Sequence, residues 1–265
     1  MEEVSFIDDI TAELGIVIIQ KATDERVNET LDEVEFMVDL LTHDVSSQSM
    51  IIWSCLEEIN SMLDPQNLDG EIFTQTAIQA LTRVQTIIDQ VRVLSSLKRL
   101  GRTDYTPIDL GGVLNRAIKS VNSMFPEDNL DIEVSISSYN IFVNGTTIID
   151  NCFMNLLQNA VIADNHSVKK IRINVTETVS DVIKIEVEDH GEGIPDELKP
   201  RVFQRLFRAR SKEKPQGSGL GLFIVRTIIE KFEGKIRVEN RVKNDYTQGT
   251  RFIIELPRIE VTPID

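Results

Sequence analysis

Cysteine is scarce in this 265-residue chain, which contains only Cys55 and Cys152. The two lie far apart and form no Cys-x-x-Cys pair, so neither a disulfide scaffold nor a structural zinc site is expected. Such sparse cysteine is typical of proteins in a reducing compartment. We therefore expect a cytoplasmic location.

Long hydrophobic runs are also missing. The longest aliphatic run near the N-terminus, Ile16–Ile19, is far shorter than the roughly 20 residues that a membrane span needs. The start, Met1-Glu2-Glu3, lacks the positive region of a signal peptide. We expect a soluble chain without a membrane span.

Basic residues are the minority, with 28 Lys and Arg against 43 Asp and Glu, for a net charge of −15. This balance argues against a nucleic-acid binder. The charge is uneven, because residues 1–109 hold 21 acidic and 7 basic side chains whereas residues 110–265 hold 22 and 21. Two domains with different electrostatics are therefore predicted.

The acidic half has a heptad pattern, which predicts long helices. Pro65 and Gly70 end the first helix, and a second periodic stretch follows, so the two helices form a hairpin. Two hairpins close a four-helix bundle, although a structural coiled-coil dimer fits the periodicity equally well. The apolar positions of the two stretches are Val27, Leu31, Val34, Val38, Leu41, Val45, Ile52, Cys55, Ile59 and Met62, then Phe73, Ala77, Leu81, Val84, Ile88, Val91 and Leu94.

Three polar residues in the first predicted helix are not explained by a purely structural coiled coil. His43 falls at an outward f position with Asp44 beside it. A neutral imidazole can attack phosphorus, and the carboxylate can orient the ring or accept its proton. Gln48 is the polar residue of the seam, where a buried polar group often sets helix register.

In the second half, short strand-like runs alternate with helical ones. This alternation predicts an α/β two-layer sandwich with helices on one face of the sheet. The predicted strands are Leu130–Ser137, Lys170–Thr178, Val182–Glu188, Lys235–Glu239 and Thr250–Leu256, and the helices are Leu110–Met124, Thr147–Ala163 and Leu220–Phe232.

Two clusters in this half carry potential ligand-binding groups. Asn155 and Asn159 lie one turn apart on a helix, so their amide oxygens can converge on a ligand or a hydrated metal. Asp189 follows a strand and begins an Asp-x-Gly-x-Gly segment with Gly191 and Gly193. Its carboxylate can accept a hydrogen bond from an exocyclic amine, and the glycines permit a flat ring to approach closely.

A third cluster, Gly217-Ser218-Gly219-Leu220-Gly221, opens a helix and is suited to phosphates. The segment Lys199–Lys214 precedes it, with seven basic residues and one acid. Such a loop could cover a polyphosphate and complement its charge. A solvated basic surface is the alternative.

In this order, and with Phe203 and Phe207 between the second and third clusters, the motifs resemble the ATP-binding domain of sensor histidine kinases, a GHKL-type or Bergerat-type fold. The resemblance covers about residues 107–258, and the hairpin with His43 extends it upstream. It implies Mg²⁺ held at Asn159 with support from Asn155, the adenine amine bound by Asp189, and a base pocket shaped by Gly191 and Gly193. It also implies phosphate contacts from Gly217, Gly219, Leu220, Gly221, Arg208 and Lys212, and pocket closure by Gly249-Thr250.

The same resemblance implies that His43, assisted by Asp44, takes the γ-phosphoryl group of ATP and that an aspartate of a response-regulator receiver domain then accepts it. Gln48 stands where the commonest family pattern has proline, and the His-Asp-x-x-x-Gln sequence is similar to a subfamily in which the glutamine serves dephosphorylation of the regulator. His190 stands where Asn is usual. The alternatives are an ATP-binding scaffold and an ATPase of this fold without histidine transfer.

The implied organisation has four parts. Residues 1–26 are a signalling helix or the remnant of an upstream sensor module, so we expect the native protein to be longer. A dimerisation and phosphotransfer hairpin follows at 27–104, the ATP-binding domain at 107–258 and a tail at 259–265.

Overall fold

The computed structural model describes residues 45–61, 70–138, 141–178, 181–205, 207 and 219–259. The chain divides into two compact units, Met1–Ile87 and Ile88–Asp265. Predictions for residues 1–44, for most of the connection between the two helices and for the end of the tail lie outside the described residues.

In the described part of the acidic half, residues 45–61 and 70–109, lie the helices α1 (Ser46–Ser61) and α2 (Gly70–Arg99). On α1 the seam residue Cys55 is buried, whereas Trp53 on another face is 66% exposed. On α2 the predicted seam residues Ala77 and Leu94 are buried, and so are Ala80 and Ile87 outside the seam, whereas the seam residue Leu81 is 54% exposed in the single chain. Ala80 and Ile87 each lie one position before a predicted seam residue.

The second half contains a seven-stranded sheet whose order is β1-β3-β7-β5-β4-β2, with β6 on β7. Among the described strands, β2 and β4 pair in parallel and the other pairs are antiparallel. The sequence missed β1 and β3, which are four residues each and too short for periodicity. The strands are β1 (Thr106–Asp109), β2 (Asn129–Ile136), β3 (Phe142–Gly145), β4 (Val168–Glu177), β5 (Val182–Asp189), β6 (Lys235–Val242) and β7 (Asp245–Ile259).

Three helices pack with this sheet, and their bounds lie close to the predicted ones: α3 (Leu110–Met124), α4 (Ile149–Ala163) and α5 (Gly221–Lys231). The helix α3 begins at Leu110 because the Asp109 carboxylate accepts the N–H groups of Gly111 and Gly112. Strand residues alternate between a buried apolar side and a charged side, as Ile171 and Arg172 show. The mixed two-layer architecture is therefore confirmed for this half.

The C-terminal end of α5 holds the segment that leads into β1. The Tyr105 hydroxyl donates to the Lys231 carbonyl at 2.8 Å, and its ring meets Phe232 edge-on at 5.2 Å. Arg102 pairs with Glu233 at 2.6 Å. Among the described residues, no helix is both long and apolar enough to cross a membrane.

Candidate functional site

Asp189, the last residue of β5, is a carboxylate that is only 4% exposed. Its Oδ1 accepts the backbone N–H groups of Gly191 and Thr250, each at 3.0 Å. Burial raises the pKa of Asp189 to about 6, and the nearby charge of Asp164 adds to this, while the two N–H bonds and His190 act in the opposite direction. Both bonds end on Oδ1, which leaves Oδ2 as the oxygen that can accept from a ligand.

The glycines around Asp189 allow three backbone segments to meet. A Cβ on Gly191 would lie 2.6 Å from the Ala163 carbonyl oxygen at the end of α4. Gly193 (φ +69°) would meet the Tyr246 carbonyl oxygen at 1.6 Å, and Gly249 (φ +106°) the Asp189 carbonyl oxygen at 2.1 Å. Any side chain at these glycines would therefore push the segments apart and displace Asp189.

Asn155 and Asn159 lie on α4, as predicted. The Asn155 amide donates to the Asn151 carbonyl at 2.7 Å, and its Oδ1 lies 3.0 Å from where a Cβ on Gly221 would stand. This contact brings α4 against the first turn of α5. Asn159 is half-buried one turn further on.

The glycine-rich segment is described from Gly219 onward. Gly219 has φ +72° and α5 begins at Gly221, so the N–H groups of the first turn are unpaired within the helix and can meet an anion. Leu220 is fully buried, so its side chain belongs to the core and only its backbone can contact a ligand. Gly217 lies outside the described residues.

The first cations of the basic segment have partners within the fold. Lys199 bonds Asp196 and Asn240, Arg201 lies 5.3 Å from the centre of the Phe207 ring, and Arg205 lies 5.1 Å from that of Phe223. These contacts attach the start of the segment to β6 and α5. Arg208 and Lys212, the two predicted phosphate contacts, lie outside the described residues.

The residues predicted for phosphoryl transfer are described only in part. His43 and Asp44 lie outside the described residues. Gln48 is half-buried on α1, and its Oε1 is buried without a hydrogen-bond partner in the part of the chain that the structure describes. That environment is more typical of a seam residue than of a side chain that faces water.

Asp164, which the sequence analysis did not single out, is a second buried carboxylate whose charge acts on Asp189. It is 1% exposed, and it accepts the backbone N–H of His166 at 2.9 Å and that of Lys170 at 3.3 Å. Burial alone would raise the pKa of Asp164, but these bonds and the His166 ring outweigh it and lower the pKa. Its position after the last turn of α4 was the available signal.

Sequence comparisons now bear on this geometry. Residues 145–260 match the model of the histidine kinase-, DNA gyrase B- and HSP90-like ATPases. The histidine-protein kinase/phosphatase MprB of Mycobacterium sp. (strain KMS) is 29% identical over 67% of this chain and 35% of its own length. The histidine protein kinase SaeS of Staphylococcus aureus (strain bovine RF122 / ET3-1) is 27% identical over 90% of this chain and 68% of its own length. Over these ranges the chain is similar to histidine kinases.

Solved structures agree with this relationship. The catalytic domain of the histidine kinase ThkA is 29% identical, with a TM-score of 0.51 over 58% of this chain and 96% of that one. The match to the complex of ThkA with the response regulator TrrA covers 88% of this chain and 64% of the solved chain, with a TM-score of 0.67. The identity is 23%, so this match shows the fold alone. The chain spans about a third of the length of the MprB relative.

The site also fits the groups that the ATPase domain implies. Asp189 supplies a buried acceptor for an amine, and the first turn of α5 supplies N–H donors for phosphate. Among the described residues no cluster of three or more His, Cys, Asp or Glu could hold a metal. A single amide oxygen at Asn159 fits Mg²⁺, which usually keeps its waters and takes further oxygens from phosphates.

Proposed function

We propose that this chain is a sensor histidine kinase core that binds ATP in the 145–260 domain and phosphorylates His43. The observation that carries the proposal is the Asp189 carboxylate, which is buried at the end of β5 and held through Oδ1 by the N–H groups of Gly191 and Thr250. A desolvated carboxylate with one oxygen fixed and the other available is suited to a single directional donor. The adenine N6 amine is such a donor.

The phosphates of the same ATP extend toward the first turn of α5. Asn155 Oδ1 lies against Gly221 there, which ties the position of that turn to α4. When bound at Asn159, Mg²⁺ neutralises phosphate charge. The protein contribution to such a transfer is mainly positioning and charge stabilisation.

The phosphoryl transfer itself uses the helical half. A neutral nitrogen of His43 attacks the γ-phosphorus, the bond from that phosphorus to the β–γ bridging oxygen breaks, and ADP leaves. Asp44 accepts the imidazole proton, so the step balances without a further reactant. The phosphoryl group then passes to an aspartate of a response-regulator receiver domain.

Two copies of the chain assemble through the helical half. The helices of residues 27–104 pair two copies into a four-helix bundle, and the exposed apolar side chains Met50, Trp53 and Leu56 on α1 are suited to such packing. Gln48 then sets the register of the bundle, with dephosphorylation of the regulator as its second candidate role. The domain works in the cytoplasm.

Incubation of the chain with γ-labelled ATP and Mg²⁺ tests the proposal. The label should be acid-labile and alkali-stable, and His43→Gln should abolish it. The matched control is His166→Gln, at an exposed loop histidine, which should keep the label. Full labelling of His43→Gln would overturn the assignment, and ATP binding without any label in the wild type would favour a scaffold or an ATPase.

A further inference from the structure

The charged side of the sheet carries a row of alternating positive and negative side chains. This row passes beside Asp189, the carboxylate that we propose binds the nucleotide. Four residues of the row lie in register on neighbouring strands: Glu133 on β2, Arg172 on β4, Glu188 on β5 and Arg251 on β7. Arg172 Nε lies 3.2 Å from Glu133, and Arg251 Nε donates to Glu188 Oε1 at 2.7 Å. The row therefore crosses the sheet from β2 to β7.

The Glu188–Arg251 rung is the last pair between β5 and β7 before the site. Asp189 directly follows Glu188, and Thr250 directly precedes Arg251. The Thr250 N–H that fixes Asp189 Oδ1 is thus one residue beyond this rung. A change in the distance between β5 and β7 at the rung would therefore also move that N–H relative to the carboxylate.

Arg251 also bonds a third strand. Its Nη2 donates to the Arg241 carbonyl at 3.2 Å, and Arg241 Nε donates in turn to the Gln248 carbonyl at 2.5 Å. The β6–β7 pairing shifts register here, because Asn240 pairs with Thr250 and Val242 with Asp245. Arg241 alone on β6 therefore faces residues 246–249, which form a bulge in β7. The guanidinium of Arg251 on β7 therefore bonds both β5 and the β6 residue that faces the bulge.

The ion pair between Glu188 and Arg251 is partly shielded from water, which strengthens the attraction between the two charges. The Glu188 side chain is 11% exposed and that of Arg251 is 31% exposed. The next cation along the row, Arg172, lies 4.0 Å from Glu188, beyond hydrogen-bond distance. Loss of the Arg251 fork would leave a largely buried carboxylate without its short ion pair, next to Asp189.

We propose that Arg251 is a positioning residue of the nucleotide site, which acts from the opposite side of the sheet by holding the Thr250 N–H against Asp189. It does not touch ATP. This inference rests on the proposed function, because it assumes that Asp189 binds the nucleotide. Arg241 supports Arg251 by closing the bulge.

The test compares Arg251→Gln with Arg172→Gln in the full chain. Both variants remove a cation beside Glu188. Only Arg251→Gln removes the bonds from β7 to the Glu188 carboxylate and to the Arg241 carbonyl. For Arg251→Gln we expect the Kd for ATP to rise about tenfold, the effect of weakening one charge-assisted contact. The labelling rate at saturating ATP should stay within about twofold, and Arg172→Gln should bind ATP like the wild type.

A second readout separates positioning from general loss of structure. If the Thr250 N–H moves away, ionised Asp189 loses a donor, and the acid limb of ATP binding shifts to higher pH. Asp164 and His190, the other charged or titratable groups that act on Asp189, are unchanged in both variants. A lower melting temperature alone would not shift this limb.

Arg251→Lys gives a second measurement, because it keeps the charge and removes the fork. We expect a Kd between those of the wild type and Arg251→Gln. An unchanged Kd and acid limb in both Arg251 variants would overturn the inference. Asp189→Asn identifies the level of failure: if it also leaves ATP binding unchanged, the proposed nucleotide site is wrong, and if it abolishes binding, only the role of Arg251 is wrong.

Discussion

The Asp189 carboxylate and the Thr250 N–H are joined by a 3.0 Å hydrogen bond that links the end of β5 to β7. Together with the bond from Gly191, it fixes one carboxylate oxygen and leaves the other for a ligand. The site is therefore assembled from residues 61 positions apart in the chain. Its position depends on how β5 and β7 pair.

ATP binding should weaken in acid. Burial raises the pKa of Asp189 to about 6 from 3.8, so below pH 6 the carboxyl becomes protonated and loses the charge that attracts the adenine amine. The Kd for ATP, measured by calorimetry between pH 5 and 8, should rise as the pH falls through about 6. In Asp189→Asn the affinity for ATP should be weak at every pH, and the rise of the Kd in acid should vanish. The same rise in that variant would show that another group causes it.

The same group has a defined effect on stability without nucleotide. Its pKa is higher in the folded state than in the unfolded one, so the folded domain holds the proton more tightly. Between about pH 4 and 6 this carboxyl makes the fold less stable as the pH rises. The melting temperature of the wild type minus that of Asp189→Asn should fall across this window, and a difference that rises would contradict the burial argument.

The base site should discriminate between ATP and GTP. Adenine presents an amine at the position where guanine presents a carbonyl oxygen, which would face the Asp189 Oδ2 as a second acceptor. Because a buried polar group would be left unpaired, we expect GTP to bind at least about 100-fold more weakly. Competition of each nucleotide against a fluorescent ATP analogue measures this ratio, and equal affinities would show that Asp189 does not contact the base.

Gly249→Ala should damage both the fold and the site. A Cβ there would lie 2.1 Å from the Asp189 carbonyl oxygen at φ +106°, so β7 must move away and take Thr250 with it. We expect a loss of about 2 kcal/mol or more in the free energy of unfolding, together with loss of ATP binding. Gly101→Ala is the control, since its Cβ would meet only ordinary contacts at 3.5 Å and beyond; equal effects of the two would refute the close-approach argument.

Tyr105→Phe tests how the segment before β1 is held. The variant keeps the ring contact with Phe232 but removes the hydrogen bond to the Lys231 carbonyl. We expect the ATPase domain to lose about 1 kcal/mol of stability in urea unfolding. Tyr246→Phe, at a tyrosine that is 38% exposed, should change stability by less than about 0.5 kcal/mol, and a similarly small loss for Tyr105→Phe would show that the bond contributes nothing.

Much of the fold could be predicted because long elements repeat their pattern. The periodicity of α3 covers four turns, and its predicted bounds of Leu110 and Met124 are those observed. The four residues of β1 or β3 contain no comparable repeat, and these strands form because β7 and β3 supply their partners. On α2, Leu81 fits the heptad but is exposed in the single chain, because periodicity identifies an apolar face and not the partner that covers it.

The arrangement around Asp189 could be predicted in part, although the binding role of these residues stays a prediction. Asp189 and its glycines carried the signal in their own spacing, and the structure brings them together with Thr250. Asp164 and Arg251 could not be found this way, because their roles depend on strand register and on burial at a helix end. Single Asp and Arg residues in a charged sequence are indistinguishable from surface residues.

The most direct test of the central claim is mass-spectrometric localisation of the phosphoryl group after incubation of the wild-type chain with ATP and Mg²⁺ at neutral pH. Asp189→Asn, in which we expect ATP to bind weakly, serves as the control. The account predicts modification of the peptide that contains His43 in the wild type and none in Asp189→Asn. Modification at another residue, or the same modification of His43 in Asp189→Asn, would contradict it.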